Sequence, residues 1–289
     1  MTKVVAKRSP GLTEQEFQRL RRLVNEQAGL SFDEEARYLF EKRLMERVVL
    51  RQAPSFSDYI DQAESDLFEL DAIFTALTTK ETYFFRQEYQ LRAFVDEVLP
   101  EVLEMQQASR RITLWSAGCS TGEEAYTLGM LLLSSSRMSG YQFRVIGTDL
   151  CRQNVEAAAR GVYRVNSFRA TEQHWIDDFF ETQPDGSYRI IDAVRRVCHF
   201  SQANLMSSEA LRSVGRVDVA FCRNVIIYFD EASRAKVTDQ LYQRLFPGGF
   251  LFLGHSESLL NASTEFQPVH LEGDLAYRRP MRFPSRRTS

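Results

Sequence analysis

The stretch Ile112-Thr-Leu-Trp-Ser-Ala-Gly-Cys-Ser-Thr-Gly-Glu-Glu-Ala-Tyr126 constrains this chain more than any other. A β-rich run from Ile112 to Trp115 gives way to small residues only, Ser116 to Gly122, and a helix-forming run begins at once with Glu123. Strand, small-residue loop and helix together let backbone approach a ligand closely, with helix N–H groups aimed at it. Loops of this kind hold nucleotide-like cofactors at the carboxyl edge of a parallel sheet. Glu123 and Glu124 bear on which cofactor: a pyrophosphate is repelled by acidic side chains in the first helical turn, whereas a cofactor with positive charge is drawn to them. The same glutamates also suit the positive end of the helix dipole, so both readings stand on this feature alone.

The surrounding elements divide the chain. Residues 12 to about 79 read as helical throughout. Thr13-Glu-Gln-Glu16 is a capping box opening an amphipathic run with Phe17, Leu20, Leu23 and Val24 on one side. Gly29 ends that helix, and Asp33 begins a second one through Arg51; Pro54 and Ser55 break the chain before Phe56 to Ala63, and Leu67 to Leu77 is a fourth helix. Glu88 to Gln106 is one connecting helix, interrupted near Pro100. From Ile112 the pattern becomes strand alternating with helix. Phe143 to Thr148 is a strand ending in Asp149, Asn154 to Arg160 is a helix stopped by Gly161, and Val217 to Cys222 is a strand buried on both faces. Asp230 caps a helix to Phe246, Pro247-Gly-Gly249 turns the chain into the strand Phe250 to Gly254, and a last strand covers His270 to Arg278. Between them Tyr163 to Phe200 holds a short helix (Glu172 to Phe180), the turn Pro184-Asp-Gly186 and the strands Tyr188 to Ile191 and Arg196 to Phe200, which read as an inserted β-rich subdomain.

Bulk properties exclude several classes of function. A net charge of −3 and a pI near 5.9 give no global attraction to nucleic acid. No apolar run approaches the roughly 20 residues of a membrane span, and the N-terminus lacks a signal-peptide core. Cys119, Cys151, Cys198 and Cys222 are far apart with no C-x-x-C pair, and His174, His199, His255 and His270 form no ligand-spaced cluster. The cysteines read as reduced thiols in a cytosolic protein, and no metal is expected.

Asp149 stands beyond Gly122 near the spacing at which an acid grips ribose hydroxyls, although an Asp after a strand can also cap the next helix. Both NAD and S-adenosylmethionine have such a ribose. A helix, a glycine turn and an antiparallel strand pair closing the sheet favour the methyl donor, because methyltransferase sheets end in this way and Rossmann dehydrogenases need no such ending. S-adenosylmethionine carries a sulfonium and an ammonium where NAD carries phosphates, so a carboxylate at Glu123 suits the former.

Leu77-Thr-Thr-Lys-Glu-Thr-Tyr-Phe-Phe-Arg86, Trp115-Ser-Ala-Gly-Cys-Ser-Thr-Gly-Glu-Glu124, Ala203-Asn-Leu205, Phe221-Cys-Arg-Asn-Val-Ile-Ile-Tyr-Phe-Asp230 and Gly254-His-Ser-Glu257 resemble the motifs of the CheR-type chemotaxis receptor methyltransferases. The likeness runs in order through nearly the whole chain. It implies S-adenosylmethionine-dependent methyl esterification of glutamate side chains on chemoreceptor cytoplasmic helices, with S-adenosylhomocysteine as product. It implies a class I methyltransferase architecture: an α/β, Rossmann-like, seven-stranded sheet with an N-terminal all-helical domain and a small inserted antiparallel β-subdomain.

Position by position, the resemblance places Thr82 and Arg86 on the cofactor from the domain junction, with Arg86 gripping the methionyl carboxylate bidentately. It gives the ammonium to Glu123, the ribose to Asp149, and the adenine to Asn204 by hydrogen bonding and Leu205 by apolar contact. Arg223 and Asn224 fall beside the methyl group, and Lys80 reaches the cofactor from a position where the family commonly has asparagine. Tyr228, with Arg223, is the catalytic candidate, orienting the acceptor carboxylate. A glutamate is already ionised at neutral pH, with a pKa of about 4.3, so it can attack a sulfonium methyl without a general base. The enzyme then supplies proximity, alignment and partial desolvation.

Receptor methylation helices are rich in glutamate, so docking calls for basic surface. Lys42, Arg43, Arg47 and Arg51 form such a patch on the second helix, although a charged helix face is often only solvated. Family members that tether to a receptor's C-terminal pentapeptide carry a longer, glycine-rich loop in the β-subdomain. Here it is only Gln183-Pro-Asp-Gly-Ser187, so no dependence on a tether is expected, and tight binding of such a peptide would overturn this.

The expected organisation is a helical docking domain at 1–88, a linker helix at 89–109, a methyltransferase domain at 110–280 with its insert at about 163–201, and a disordered basic tail at 281–289. The chain is expected to act as a cytoplasmic monomer on a chemoreceptor, with neither nucleic acid nor membrane insertion involved. A methyltransferase of the same build acting on another acceptor such as RNA is the first rival; a cofactor-binding signalling module without turnover is the second. The lack of a basic, aromatic-interleaved surface opposes the first, and intact Arg86, Glu123, Asp149 and Asn224 oppose the second.

Overall fold

The computed structural model describes residues 11–79, 81–260 and 264–281, and the chain divides into two compact units, Met1–Thr79 and Lys80–Ser289. Lys80 and the tail from 282 onward lie outside the described residues.

The first unit is built of α1 (Glu14–Ala28), α2 (Arg37–Leu50), α3 (Phe56–Glu64) and α4 (Leu67–Leu77). The capping box forms: Thr13 Oγ1 accepts from the Glu16 N–H at 3.4 Å and the Glu16 carboxylate accepts from the Thr13 N–H at 2.9 Å. Gly29, left-handed at φ 74°, ends α1 as expected. Asp33 does not start α2; its carboxylate makes no capping hydrogen bond, and a 3-10 turn at Glu34–Ala36 leads in instead. Phe17, Leu20 and Val24 of α1 bury the predicted stripe, and Phe17 meets Phe40 of α2 edge-on at 5.2 Å. Inside this apolar core sits Glu69 of α4, 1% exposed.

The second unit opens with α5 (Glu88–Ala93), a π-helical turn at Phe94–Val98 and α6 (Leu99–Met105). The expected interruption near Pro100 thus falls just before it. Pro100 cannot donate and its ring would strike the carbonyl four residues back, so the helix takes a wider turn there, with the Leu99 N–H reaching the Phe94 carbonyl.

Then come β1 (Arg111–Ala117), α7 (Glu123–Ser134), β2 (Gln142–Asp149), α8 (Arg152–Arg160), β3 (Val162–Tyr163), α9 (Gln173–Phe179), β4 (Phe180–Thr182), β5 (Tyr188–Ile190), α10 (Asp192–Arg195), β6 (Cys198–Gln202), β7 (Val217–Cys222), α11 (Glu231–Arg244), β8 (Leu245–Leu253), β9 (Gln267–Leu271) and β10 (Asp274–Arg278). The main sheet has seven strands in the order β6-β2-β1-β7-β8-β10-β9, parallel from β6 to β8 and antiparallel where β10 pairs with β8 and β9. This is the sheet of class I S-adenosylmethionine-dependent methyltransferases, as expected. A second sheet, β3-β5-β4, is the small antiparallel insert.

Four points differ from the sequence reading. The strand expected at Arg196 to Phe200 is no part of the insert: β6 pairs in parallel with β2 and forms an edge of the main sheet. Val162–Tyr163 takes the third place in the small sheet instead. Pro247-Gly-Gly249 is not a turn before a strand but an irregularity inside β8, where pairing with β7 shifts between Val217 and Val219. Pro247 cannot donate to a ladder, so the strand accommodates it as a bulge. The last strand is a hairpin, β9 and β10, joined through Glu272 and Gly273.

The sheet core is aromatic. Trp115 of β1 is fully buried and its indole N–H is satisfied by Thr148 Oγ1 at 2.9 Å. Phe221 and Phe252, on neighbouring strands, stack at 4.8 Å, and Phe94 from the π turn meets Phe221 edge-on at 5.4 Å. Among the described residues no helix is long and apolar enough to cross a membrane.

Candidate active site

Strand register brings the site together. Ala117 lies opposite Thr148, Asp149 opposite Gln202, and Cys222 opposite Leu253, so five parallel strands end at one edge of the sheet. The loops leaving that edge carry Gly118 to Gly122, Asp149, Asn204 and Leu205, Arg223 to Tyr228, and Gly254 to Glu257. Ligands of open α/β sheets bind in this place.

Two glycines of the first loop are dictated by neighbours. Gly118 has φ +78°, and a Cβ there would lie 2.5 Å from Val225 Cγ2. Gly122 has φ +96°, and a Cβ there would meet Ala158 Cβ at 2.8 Å and Tyr163 Oη at 3.1 Å. Larger residues would therefore need both strained backbone and displaced packing. Tyr163 also donates to the Thr121 carbonyl at 2.7 Å, so the inserted sheet helps to hold the loop.

Asp149, 8% exposed, accepts from Ser120 N at 2.8 Å, Cys151 N at 2.9 Å and Asn154 Nδ2 at 3.0 Å. It braces the loop and the start of α8 at once, which is the capping reading of this acid extended to the loop.

The glutamates at the head of α7 differ in partners. Glu123, 2% exposed, accepts hydroxyl hydrogen bonds from Thr121 at 2.6 Å and Ser167 at 3.1 Å. Burial pushes its carboxyl above the ordinary range, with those hydroxyls and its own backbone opposing. Glu124 accepts from Ser116 Oγ at 2.6 Å and pairs with Arg223 Nη1 at 3.3 Å. Burial raises Glu124 and lowers Arg223 despite the attraction between them. Desolvation outweighs pairing here, so the pair adds little stability by existing but costs much if broken.

Arg223 is thereby fixed inside the protein, its side chain 3% exposed. It donates to Gln87 Oε1 at 2.8 and 3.1 Å and to the Arg86 carbonyl. Gln87 in turn bonds His255 Nδ1 at 2.6 Å. The sequence reading placed Arg223 beside the methyl group as a catalytic candidate; its hydrogen bonds instead tie the segment carrying Arg86 to the end of β7. That segment is anchored from the other side by aromatics. Phe84 donates its N–H to the Ser167 carbonyl at 2.9 Å and contacts Tyr163, Phe168 and Phe180 at 4.8 to 5.2 Å. Arg86 itself bonds only locally among these contacts, to the Glu81 carbonyl at 2.8 Å, and its guanidinium lies 5.8 Å from the Tyr83 ring. Thr82 is partly buried in the same segment.

On the far loops, Asn204 Oδ1 accepts from the Met206 N–H at 2.9 Å and Leu205 is buried beside it. Asn224 has the left-handed φ of +58°. Tyr228 closes the 3-10 turn that begins at Ile226. Glu257 receives backbone N–H groups from Asn224, Val225, Ile227 and Gly254.

The basic patch of α2, in the helical unit, is largely engaged within that unit. Arg47 makes a bidentate pair with Glu69 at 2.5 and 2.9 Å, and Tyr59 donates to the same carboxylate at 2.7 Å. Arg51 pairs with Asp66 at 3.0 Å and Glu69 at 3.7 Å. Arg43 donates to the carbonyls of Ala76 and Leu77 at 3.2 and 3.0 Å, capping α4. Of the four cations, Lys42 is the exposed one, so this is not a free cationic face.

Sequence reasoning passed over Glu257, Gln87, Ser120 and the pairing of Glu124. The motif Gly254-His-Ser-Glu257 held a signal, but only the crossing of two loops reveals what its acid meets. The site's chemistry fits S-adenosylmethionine. Among the described residues, Ser120 Oγ and Asn224 Oδ1 are buried without a hydrogen-bond partner, Gly118 and Gly122 shape a loop of backbone, and buried Glu123 has hydroxyl partners but no cation.

Comparison with known proteins agrees with this geometry. Residues 80–273 match the model of the CheR methyltransferase SAM-binding domain, and residues 15–78 that of the CheR methyltransferase all-alpha domain. Chemotaxis protein methyltransferase 2 of Vibrio cholerae is 35% identical over 274 residues, covering 93% of this chain and 94% of that protein. The chemotaxis protein methyltransferase of Vibrio parahaemolyticus is 34% identical, covering 92% and 98%, and chemotaxis protein methyltransferase 1 of Pseudomonas aeruginosa is 29% identical, covering 91% and 97%. With a glycine-shaped loop at the carboxyl edge of a class I sheet and relatives matched over more than nine-tenths of this chain, the chain belongs to the CheR methyltransferase family and is an S-adenosylmethionine-dependent methyltransferase.

Proposed function

We propose that the enzyme esterifies glutamate side chains on the cytoplasmic helices of chemoreceptors, leaving glutamate methyl esters and S-adenosylhomocysteine. The carrying observation is that both units, helical and catalytic, match proteins named as chemotaxis methyltransferases over almost their full length. When bound, S-adenosylmethionine supplies an electrophilic methyl group on a sulfonium centre. Arg86 is the residue suited to its carboxylate, Glu123 to its ammonium, Asp149 to its ribose, and Asn204 with Leu205 to its adenine. Thr82 and Asn224 complete the set, Asn224 through an Oδ1 that has no hydrogen-bond partner among the described residues. The acceptor arrives as an anion, so the protein needs to orient and partly desolvate an oxygen rather than remove a proton. Tyr228, at the end of the β7 loop, is our candidate for that role, and the bond from Arg223 to the Arg86 carbonyl supports a part for Arg223 in positioning Arg86.

Docking on the helical unit falls chiefly to Lys42, since Arg43, Arg47 and Arg51 are occupied. The short loop Gln183-Pro-Asp-Gly-Ser187 closes on itself, Gln183 N to the Ser187 carbonyl at 2.7 Å, which favours action without a pentapeptide tether. The proposed setting is the cytoplasm, as a monomer, with a protein and not a nucleic acid as acceptor. Incubation with radiolabelled methyl donor and receptor-bearing membranes, followed by base treatment, tests this. Volatile labelled methanol is expected; none from an otherwise competent receptor rejects carboxyl methylation.

A further inference from the structure

We infer that Glu257 is a positioning residue that sets the acceptor side of the site by holding the backbone of the Asn224–Tyr228 loop from beneath. β7 and β8 are neighbouring parallel strands, so the loops after Cys222 and Leu253 leave the same edge side by side. Glu257 stands in the second loop and reaches across to the first. One carboxylate oxygen accepts from Asn224 N at 2.7 Å and Gly254 N at 2.6 Å; the other accepts from Val225 N at 2.8 Å and Ile227 N at 3.2 Å. Four donors fill the acceptor capacity of a carboxylate, and the three bonds at 2.6 to 2.8 Å have the short lengths of bonds to a charged acceptor, which are stronger than neutral ones.

The held loop is also tied at its ends, by Arg223 to Gln87 and by the Tyr228 N–H to the Val225 carbonyl at 3.2 Å, but its first turn rests on Glu257. Asn224 sits in left-handed backbone, which asparagine tolerates better than most non-glycine residues but which still needs its surroundings to hold it. Its N–H and that of the next residue both point at Glu257, so the carboxylate supplies that hold. Three parts of the site depend on the resulting path. The Asn224 side chain presents an unpartnered Oδ1. Val225 packs its methyls where a side chain at Gly118 would stand, against the donor loop. Tyr228 is delivered by the 3-10 turn that follows, whose Ile227 N–H is the fourth donor. Glu257 therefore touches neither proposed substrate; it acts through Asn224 and Tyr228, and this inference rests on the role proposed for them.

Glu257→Gln tests the idea. An amide keeps the shape but replaces one acceptor oxygen with a donor, so whichever way it turns, two backbone N–H groups lose their acceptor and face another N–H. A misplacement of about 1 Å can cost about 10²-fold in rate, so kcat should fall by roughly tenfold to a hundredfold, while S-adenosylhomocysteine binding weakens by no more than about fivefold, because, of the cofactor residues, only Asn224 is displaced and Arg86, Asp149 and Asn204 stand on other elements. In a double-mutant cycle, Glu257→Gln and Tyr228→Phe should be clearly less than additive in kcat, whereas Glu257→Gln and Asn204→Ala should add. Unchanged kcat in Glu257→Gln, or additivity with Tyr228→Phe, overturns the inference. So does loss of cofactor binding and of the cooperative melt together with turnover, in both Glu257→Gln and Glu257→Asp, which would assign Glu257 to the fold alone. Wild-type turnover on receptor membranes in the same assay reports separately on the acceptor reading.

Discussion

Arg223 and Glu124 show how much of this site is held together by buried charge. Burial raises the acid and lowers the guanidinium, outweighing their attraction at 3.3 Å and the Ser116 hydroxyl on Glu124. Removing one partner leaves the other buried and uncompensated, which typically costs about 3 kcal/mol or more. Glu124→Gln is thus expected to lower stability by roughly 3 kcal/mol, read as a fall in urea midpoint, and to raise the KM for S-adenosylmethionine because Arg223 also holds the Arg86 carbonyl. An unchanged midpoint would mean that the pair is not needed for the fold. Glu123 and Glu124 look alike in sequence; one faces hydroxyls and the other an arginine, and nothing in their spacing distinguishes them.

At the scale of elements, α2 and α4 divide their charges between binding and structure. Lys42→Ala should raise the acceptor KM a few-fold with stability unchanged, because it is the exposed cation of the patch. Arg47→Ala should instead destabilise the helical unit by about 3 kcal/mol, because it takes the bidentate partner from buried Glu69 and leaves it Tyr59 and the longer contact to Arg51 at 3.7 Å. Acceptor kinetics beside thermal melts separate the two, and equal effects on both quantities would contradict the division. Glu69 also gives the unit a pH dependence. Burial would raise its carboxyl, but hydrogen bonds from Arg47 and Tyr59 outweigh that and hold it below the ordinary value. A depressed acid stabilises the folded state above its unfolded pKa of about 4.3, and that contribution is lost as pH falls through the folded value. Protection of α2 and α4 amides from hydrogen exchange should therefore weaken below about pH 4 in wild type and much less so in Glu69→Gln.

For the whole molecule, every proposed cofactor residue among those described belongs to the unit Lys80–Ser289. A ligand that binds only folded protein stabilises it by about 2.7 kcal/mol at a hundred times its Kd. S-adenosylhomocysteine at that level should raise the melting of the methyltransferase unit and leave α1 to α4 where they were, as followed by hydrogen exchange. Equal protection in both units would show that they unfold as one.

What the sequence determined by itself was the set of locally encoded features. The capping box at Thr13, the stop at Gly29, the buried strand Val217 to Cys222 and the Ser116 to Gly122 loop each follow from residues within a few positions of one another. Side-chain period, turn chemistry and cap preference act at that range. The tertiary structure decided what depends on distant partners. Cys198–Gln202 joined the main sheet because β2 offered an open edge, which no local pattern records. Arg47 and Arg51 became structural because α4 set Glu69 and Asp66 against them. Glu257 acquired its role only where two parallel strands end together. A periodicity says which face of an element is buried; only the packed chain says which charge from elsewhere meets it there, and in this enzyme those meetings set the site.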